Sequence, residues 1–144
     1  MSIRAMKIRV VLLFSLLLGP AQLVAAQSAP LPPEVLFARE YVRLLQDSGA
    51  VGVIPMTAEK TRALKGYAPN IDALRADMAS AQTTIALDRW GAVPAKGNVP
   101  PLFLVVFKVE GIAKPLDLRL WVEEVTGRYL LNTIMARPST LKED

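Results

Sequence analysis

Over residues 34–48 apolar side chains recur at Phe37, Ala38, Tyr41, Val42, Leu44 and Leu45, while Arg39, Glu40, Arg43, Gln46 and Asp47 take the opposite side. That 3.6-residue period predicts an amphipathic helix. Pro33 suits its first turn, where a missing N–H is not needed, and Gly49 suits a left-handed cap just past its end. The stretch 51–56 is apolar but interrupted by Gly52 and Pro55, so it reads as a connecting segment. Thr57 is placed to cap a short helix running to Lys65 and ended by Gly66. Asn70, after Pro69, is placed to cap another over 71–80, with Ile71, Leu74 and Met78 as its stripe. Asp72 near that helix start favours the dipole, and Arg75 three residues on gives a weak ion pair.

Beyond residue 82 the period changes. Residues 83–93 are rich in β-branched and large apolar types and end at Pro94; 95–98, centred on Gly97-Asn98, supply turn chemistry. The run 102–110 is nearly continuously apolar, as expected of a strand covered on both faces. Residues 116–125 alternate, with Leu118, Leu120 and Val122 on one side and Asp117, Arg119, Trp121 and Glu123 on the other. Thr126-Gly127 is a tight turn, and 128–136 returns as the last strand. Connections this short force an antiparallel meander, because parallel neighbours need a long crossover. Its apolar face must be covered, and the first helix is the element large enough to do it. The expected class is α+β: N-terminal helices packed on a curled, cone-like, four-stranded antiparallel meander.

The register of the last hairpin has two readings. With a two-residue Thr126-Gly127 loop, Leu118, Leu120 and Val122 share a face with Tyr129, Leu131, Thr133 and Met135, and Trp121 lies beside Asn132. With a three-residue loop, Trp121 faces Leu131 and Glu123 faces Tyr129.

This order of elements resembles the nuclear transport factor 2-like superfamily of cone-shaped domains and the related cystatin-like arrangement. The features that carry the resemblance are the leading helix over 34–48, the helix over 70–80 and the closing hairpin LDLRLWVEEVTGRYLLNTI. It covers most of the chain after the first 26 residues. The superfamily includes isomerases, dehydratases, ligand binders and exported domains, so the resemblance implies a fold and leaves several functions open. Its isomerase branch would imply an acidic base inside the cone, opposite a phenol or a protonated acid.

The N-terminus has the three parts of an export signal. Arg4, Lys7 and Arg9 precede an apolar run of nine residues (10–18), then Gly19-Pro20, then small residues ending in Val24-Ala25-Ala26 before Gln27. A spanning helix needs about 20 apolar residues, so the expectation is a cleavable signal over 1–26, cut between Ala26 and Gln27, and a periplasmic or secreted product with no stable membrane anchor. After the signal come a Pro-rich leader (27–33), one α+β domain (34–138) and a charged tail (139–144). The formal charge of +4 shrinks accordingly: without Arg4, Lys7 and Arg9 the chain carries 14 basic and 13 acidic side chains. Near-balance argues against a nucleic-acid partner held by bulk electrostatics. There is no Cys and no His, which removes disulfides, thiol nucleophiles, His-dependent triads and haem ligation by either residue. No cofactor motif and no acidic spacing suited to calcium occurs.

The acids on strands are Asp88, Asp117, Glu123 and Glu124, with Tyr129 the nearby phenol; Asp88, Asp117, Glu123 and Tyr129 are the weak catalytic candidates. Asp88-Arg89 and Asp117-x-Arg119 read more simply as ion pairs on a sheet surface. Trp90, Arg119, Trp121 and Tyr129 are the candidates for binding a partner or ligand, since Trp and Arg are favoured at interface centres. The plainer reading is an Arg stacked on Trp over a wet sheet, with Trp90 as a core-edge anchor. Arg39 and Arg43 share a helix stripe that could hold an anion or an acidic partner, though a solvated helix face is the plainer reading. Three roles are compatible with these residues: a non-catalytic exported domain binding a protein partner or small molecule; a carboxylate-based isomerase or lyase; or an assembly domain forming a homodimer through its sheet.

Overall fold

The computed structural model describes residues 29–139; the signal, its cleavage point at Ala26 and Gln27, and the tail beyond Ser139 lie outside the described residues. The chain divides into two units, Met1–Leu31 and Pro32–Asp144, and every element among the described residues belongs to the second. In order these are α1 (Pro33–Ser48), α2 (Ala50–Val53), a 3-10 turn (Ile54–Met56), α3 (Glu59–Arg62), α4 (Tyr67–Asp77), β1 (Thr84–Val93), β2 (Leu102–Glu110), β3 (Leu116–Val125) and β4 (Arg128–Pro138). The strands pair antiparallel in the order β1-β2-β3-β4, as a curled sheet that stays open. The α+β class expected from the pattern is the observed one.

The first helix is built as its spacing demands. Val35, Ala38, Tyr41, Val42 and Leu45 form its buried stripe and pack on β2, β3 and β4. Facing them are Val105, Phe107 and Val109 of β2, Leu118, Leu120 and Val122 of β3, and Leu131 of β4, all buried. Each such side chain removed from water contributes about 1.5–3 kcal/mol before entropy is counted. On the far side of α1, Arg43 is held by Glu40 at 2.6 and 2.9 Å and by Asp47 at 2.9 Å, so that stripe is a solvated, self-paired face.

The segment 51–56 is not a plain connector. Gly49 turns the chain at φ +66°, donates its N–H to Leu45 O at 2.9 Å, and α2 starts at once. The junction is held from outside by α4. Asp72 Oδ1 accepts the Ala50 N–H at 2.9 Å, while Arg75 donates to Gln46 O (3.0 Å) and Asp47 O (2.8 Å). A carboxylate therefore caps the start of α2 and a guanidinium caps the last carbonyls of α1, each satisfying groups a helix end leaves orphaned. The Asp72–Arg75 pairing expected within one helix is replaced by this clamp between helices.

Three further boundaries differ from expectation. The last long helix begins at Tyr67, not Ile71, because Pro69 sits in its first turn, where proline is tolerated; Asn70 is inside the helix, donating its N–H to Gly66 O at 3.0 Å. That helix ends at Asp77, short of Ser80. Thr57 caps nothing: α3 is a single turn preceded by Ala58, and the Thr57 hydroxyl is used in the core.

The Thr126-Gly127 loop is the two-residue one, with φ positive at both positions (50° and 80°) as a primed hairpin turn requires. Val125 pairs with Arg128 and Val122 with Leu131, but then the register shifts: Trp121 pairs with Thr133 and Leu120 with Ile134. Asn132 is the extra residue of a bulge. Tyr129 and Leu131 share the helix-facing side as the two-residue reading expects, but Thr133 and Met135 do not. Ile134 and Ala136 take that side, and Trp121 lies opposite Thr133 instead of Asn132. A second bulge at Asp88 divides β1.

β2 is covered on both faces at its centre, where Val105 and Val106 are each 0 % exposed. Val106 lies on the face away from α1. Its register partners there are Arg89 and Arg119.

Candidate functional site

A groove of about 600 Å³ lies between the α3–α4 region and the sheet. Four stretches of sequence meet there: 60–64, 66–71, the β1–β2 connection at 98–100, and β4 at 132–134. Its apolar wall is Leu64, Tyr67, Ile71, Val99, Pro100 and Ile134; its polar groups are Lys60, Thr61, Asn70, Asn98, Asn132 and Thr133. Leu64 and Val99 are 63 % and 50 % exposed, so apolar surface at this groove is left to solvent. The volume lies within the ~300–1,000 Å³ usual for small-molecule sites. Among the described residues, Lys60 is the one charged residue of the lining, and none of them contributes a carboxylate to it.

The polar groups divide into used and unused ones. Asn132 donates through Nδ2 to Glu123 Oε1 at 3.2 Å and accepts from Thr133 Oγ1 at 2.7 Å, and its carbonyl accepts the Thr61 hydroxyl. Tyr67 is committed as well. The Thr57 hydroxyl donates to Val53 O at 2.8 Å, so toward Tyr67 it accepts, at 2.6 Å. The Tyr67 proton is thereby spent, and Tyr41 donates to the Tyr67 oxygen at 2.9 Å. Three buried hydroxyls form a one-way chain ending on a carbonyl, which ties α1 and α4 to the turn at Thr57.

Burial, with the hydrogen bond to Tyr67 behind it, pushes the Tyr41 phenol far above its ordinary value of 10.0. The sign of the consequence is fixed. Below pH 10 the phenol is protonated folded or unfolded, and its contribution is intact. Above it only the unfolded chain ionises, and stability falls by up to about 1.4 kcal/mol per pH unit. Thermal melts from pH 9 to 11.5 are expected to show this fall, and Tyr41→Phe to flatten it; parallel curves would show that another group is responsible.

Two other hollows are less suited to a ligand. One of about 600 Å³ lies over the α1–α4 junction, but the Asp72 and Arg75 groups it exposes already serve the clamp. Another of about 570 Å³ lies along Arg39, Arg43, Ile85 and Leu87, with Arg43 already paired.

The residues singled out by sequence lie elsewhere, spread over edge strand β1, the outer face of β3 and the helix side of β4. Asp88 is at the β1 bulge, bonded to Arg89 at 2.7 Å. Asp117 is buried on the sheet face away from α1, taking hydrogen bonds from Lys108 Nζ (3.1 Å) and Ser139 Oγ (2.9 Å). Burial pulls its carboxyl upward, but those donors outweigh burial and hold it below the ordinary value. Arg119, Trp121 and Glu123 share that outer face with Asp117, as the alternation expects, Trp121 lying between Leu104 and Thr133. Tyr129 lies on the helix side, its ring 6.3 Å from that of Phe37; partial burial, then the carboxylates of Glu34 and Glu124, push its phenol up. Trp90 is 43 % exposed on edge strand β1.

The groove residues themselves escaped sequence reasoning. The one local sign is Val99, an apolar side chain inside turn chemistry between Asn98 and Pro100. Among the described residues no group of three or more Asp or Glu side chains could hold a metal, and no helix is long and apolar enough to cross a membrane. No protein-family model, curated protein or solved structure matches this chain.

Proposed function

We propose that the protein is an exported, non-catalytic binding domain of the nuclear transport factor 2-like kind that holds a small molecule in the groove between the α3–α4 region and the sheet. The observation that carries this reading is the groove itself. Solvent-exposed Leu64 and Val99 flank it in a fold whose α1–sheet interface is otherwise closely packed. No carboxylate of the described residues lines the groove, which favours binding over proton abstraction, since an isomerase or lyase of the kind considered needs an acid beside its substrate. The export signal read over 1–26 supplies the location.

A labelled sample titrated with decanol, an uncharged apolar probe, is expected to shift the amides of Leu64, Ile71, Val99 and Ile134. Filling the groove with Ile134→Trp is expected to weaken decanol by about tenfold or more, while Arg119→Ala with Trp121→Ala leaves it unchanged. Retention of binding by Ile134→Trp would refute the groove as the site. Loss in the double variant would move the site to the outer sheet face, where Trp121, Leu104 and half-exposed Met135 adjoin and a protein partner or second copy could dock. Mass measurement of the product from a secreting host is expected to give a chain starting at Gln27; an intact Met1 would overturn the export reading.

A further inference from the structure

Resting on the groove reading, we infer that the ligand is a small amphiphile carrying one carboxylate, its apolar chain along Leu64, Ile71, Val99 and Ile134 and its charge met by Lys60. Three observations lead there. First, the electrostatics of the lining are one-signed: among the described residues, Lys60 is its single charged one. A cationic headgroup would meet an ammonium and no counter-charge, whereas an anion gains a charge-assisted contact.

Second, the donors left for a headgroup are few and specific. Tyr67 is spent on the buried hydroxyl chain and Asn132 on Glu123 and Thr133. Among the described residues, the side chains of Lys60, Asn70 and Asn98 make no hydrogen bond, and all three line the groove. An ammonium and two primary amides offer N–H groups, and an ionised carboxyl is purely an acceptor with two oxygens.

Third, the amount of charge decides between anions. One lysine balances one negative charge. A phosphate monoester carries about −1.5 to −2 at neutral pH and is best recognised by the forked donors of arginine; among the described residues no arginine lines this groove. Leu64, Tyr67, Ile71, Val99, Pro100 and Ile134 form an apolar wall, which asks for a hydrocarbon body behind the headgroup.

The test uses the purified chain and four ten-carbon probes kept below their micelle concentrations: decanoate, decanol, decyl phosphate and decyltrimethylammonium, followed by calorimetry at low salt. Decanoate is expected to bind about tenfold more tightly than decanol, with the cation weakest, because one charge-assisted contact separates them. That advantage should shrink in 0.5 M NaCl, since Lys60 is exposed to screening. In Lys60→Gln, decanoate is expected to fall to within about twofold of decanol while decanol keeps its affinity, the apolar contacts being untouched. Equal binding of decanoate and decanol to the unaltered protein would overturn the carboxylate inference and leave the groove reading standing. Binding of none of the four would overturn both. Tighter binding of decyl phosphate would overturn the choice of carboxylate, and a preference surviving Lys60→Gln would overturn the role of Lys60.

Discussion

Truncation of Leu131 to alanine is expected to destabilise the domain by about 3 kcal/mol, whereas Met135→Ala, four residues along the same strand, should cost under about 1 kcal/mol. Leu131 is 0 % exposed and Met135 is 48 % exposed. In an unbroken strand, residues four apart point to the same face, and the two would be equally buried. The bulge at Asn132 separates them: Leu131 pairs with Val122 on the helix side, and Met135 pairs with Arg119 on the outer side. Leu131 also lies where the helical region meets β4, since its carbonyl accepts the Ala58 N–H at 2.8 Å. A methyl-sized remnant there leaves a cavity under α1 that the fixed backbone cannot close. At about 4 °C per kcal/mol for a domain of this size, the melting temperature should drop by about 12 °C. Equal losses from Leu131→Ala and Met135→Ala in urea titrations would mean that β4 runs without the bulge.

That bulge also shows which parts of the fold were legible. The α1 stripe and the alternation of β3 repeat several times over, so each is overdetermined, and Thr126-Gly127 carries its own turn chemistry. The single-residue slip at Asn132 has no repeat to expose it: Asn is as acceptable on a regular outer face as in a bulge. The decision comes from Ile134 and Leu131 both having to reach the helix side, a tertiary fact. Asp72 and Arg75 are similar. Their spacing suggests a pair within one helix, yet both bond backbone groups of the α1–α2 junction, at least 22 residues away in the chain.

The groove was illegible for the same reason at larger scale. It is assembled from four stretches between residues 60 and 134, none of which carries a chemical motif. What sequence did supply was the outer sheet face. Asp117, Arg119, Trp121 and Glu123 do share it, but Asp117 is consumed by Lys108 and Ser139 and Glu123 by Asn132. Polar groups satisfied within the fold have little left to give a ligand, and that is the physical ground for preferring the groove with its unspent donors.

The other large effect is expected from Gly111→Ala, a change of one methyl group. Gly111 follows β2 with φ +80°, in the left-handed region where a Cβ costs roughly 1–2 kcal/mol. Its surroundings add more. A Cβ built there overlaps the backbone carbonyl of Gln82 and approaches Thr83 N at 3.2 Å, in the segment that leads from α4 into β1. Neither atom belongs to a flexible side chain that could swing aside. The β2–β3 connection must instead move off the start of β1, next to the Thr84–Glu110 pair. The combined loss is expected to be about 3 kcal/mol. Gly127 provides the control, because it has the same φ of +80° but nothing within 4 Å of the added atom. Gly127→Ala should therefore show the conformational cost alone, about 1 kcal/mol, and the difference between the two variants in denaturant titrations isolates the clash with Gln82. If both glycines lose the same amount, the β2–β3 turn does not press on the entry to β1, and the close approach that fixes the sheet against the end of α4 is wrong.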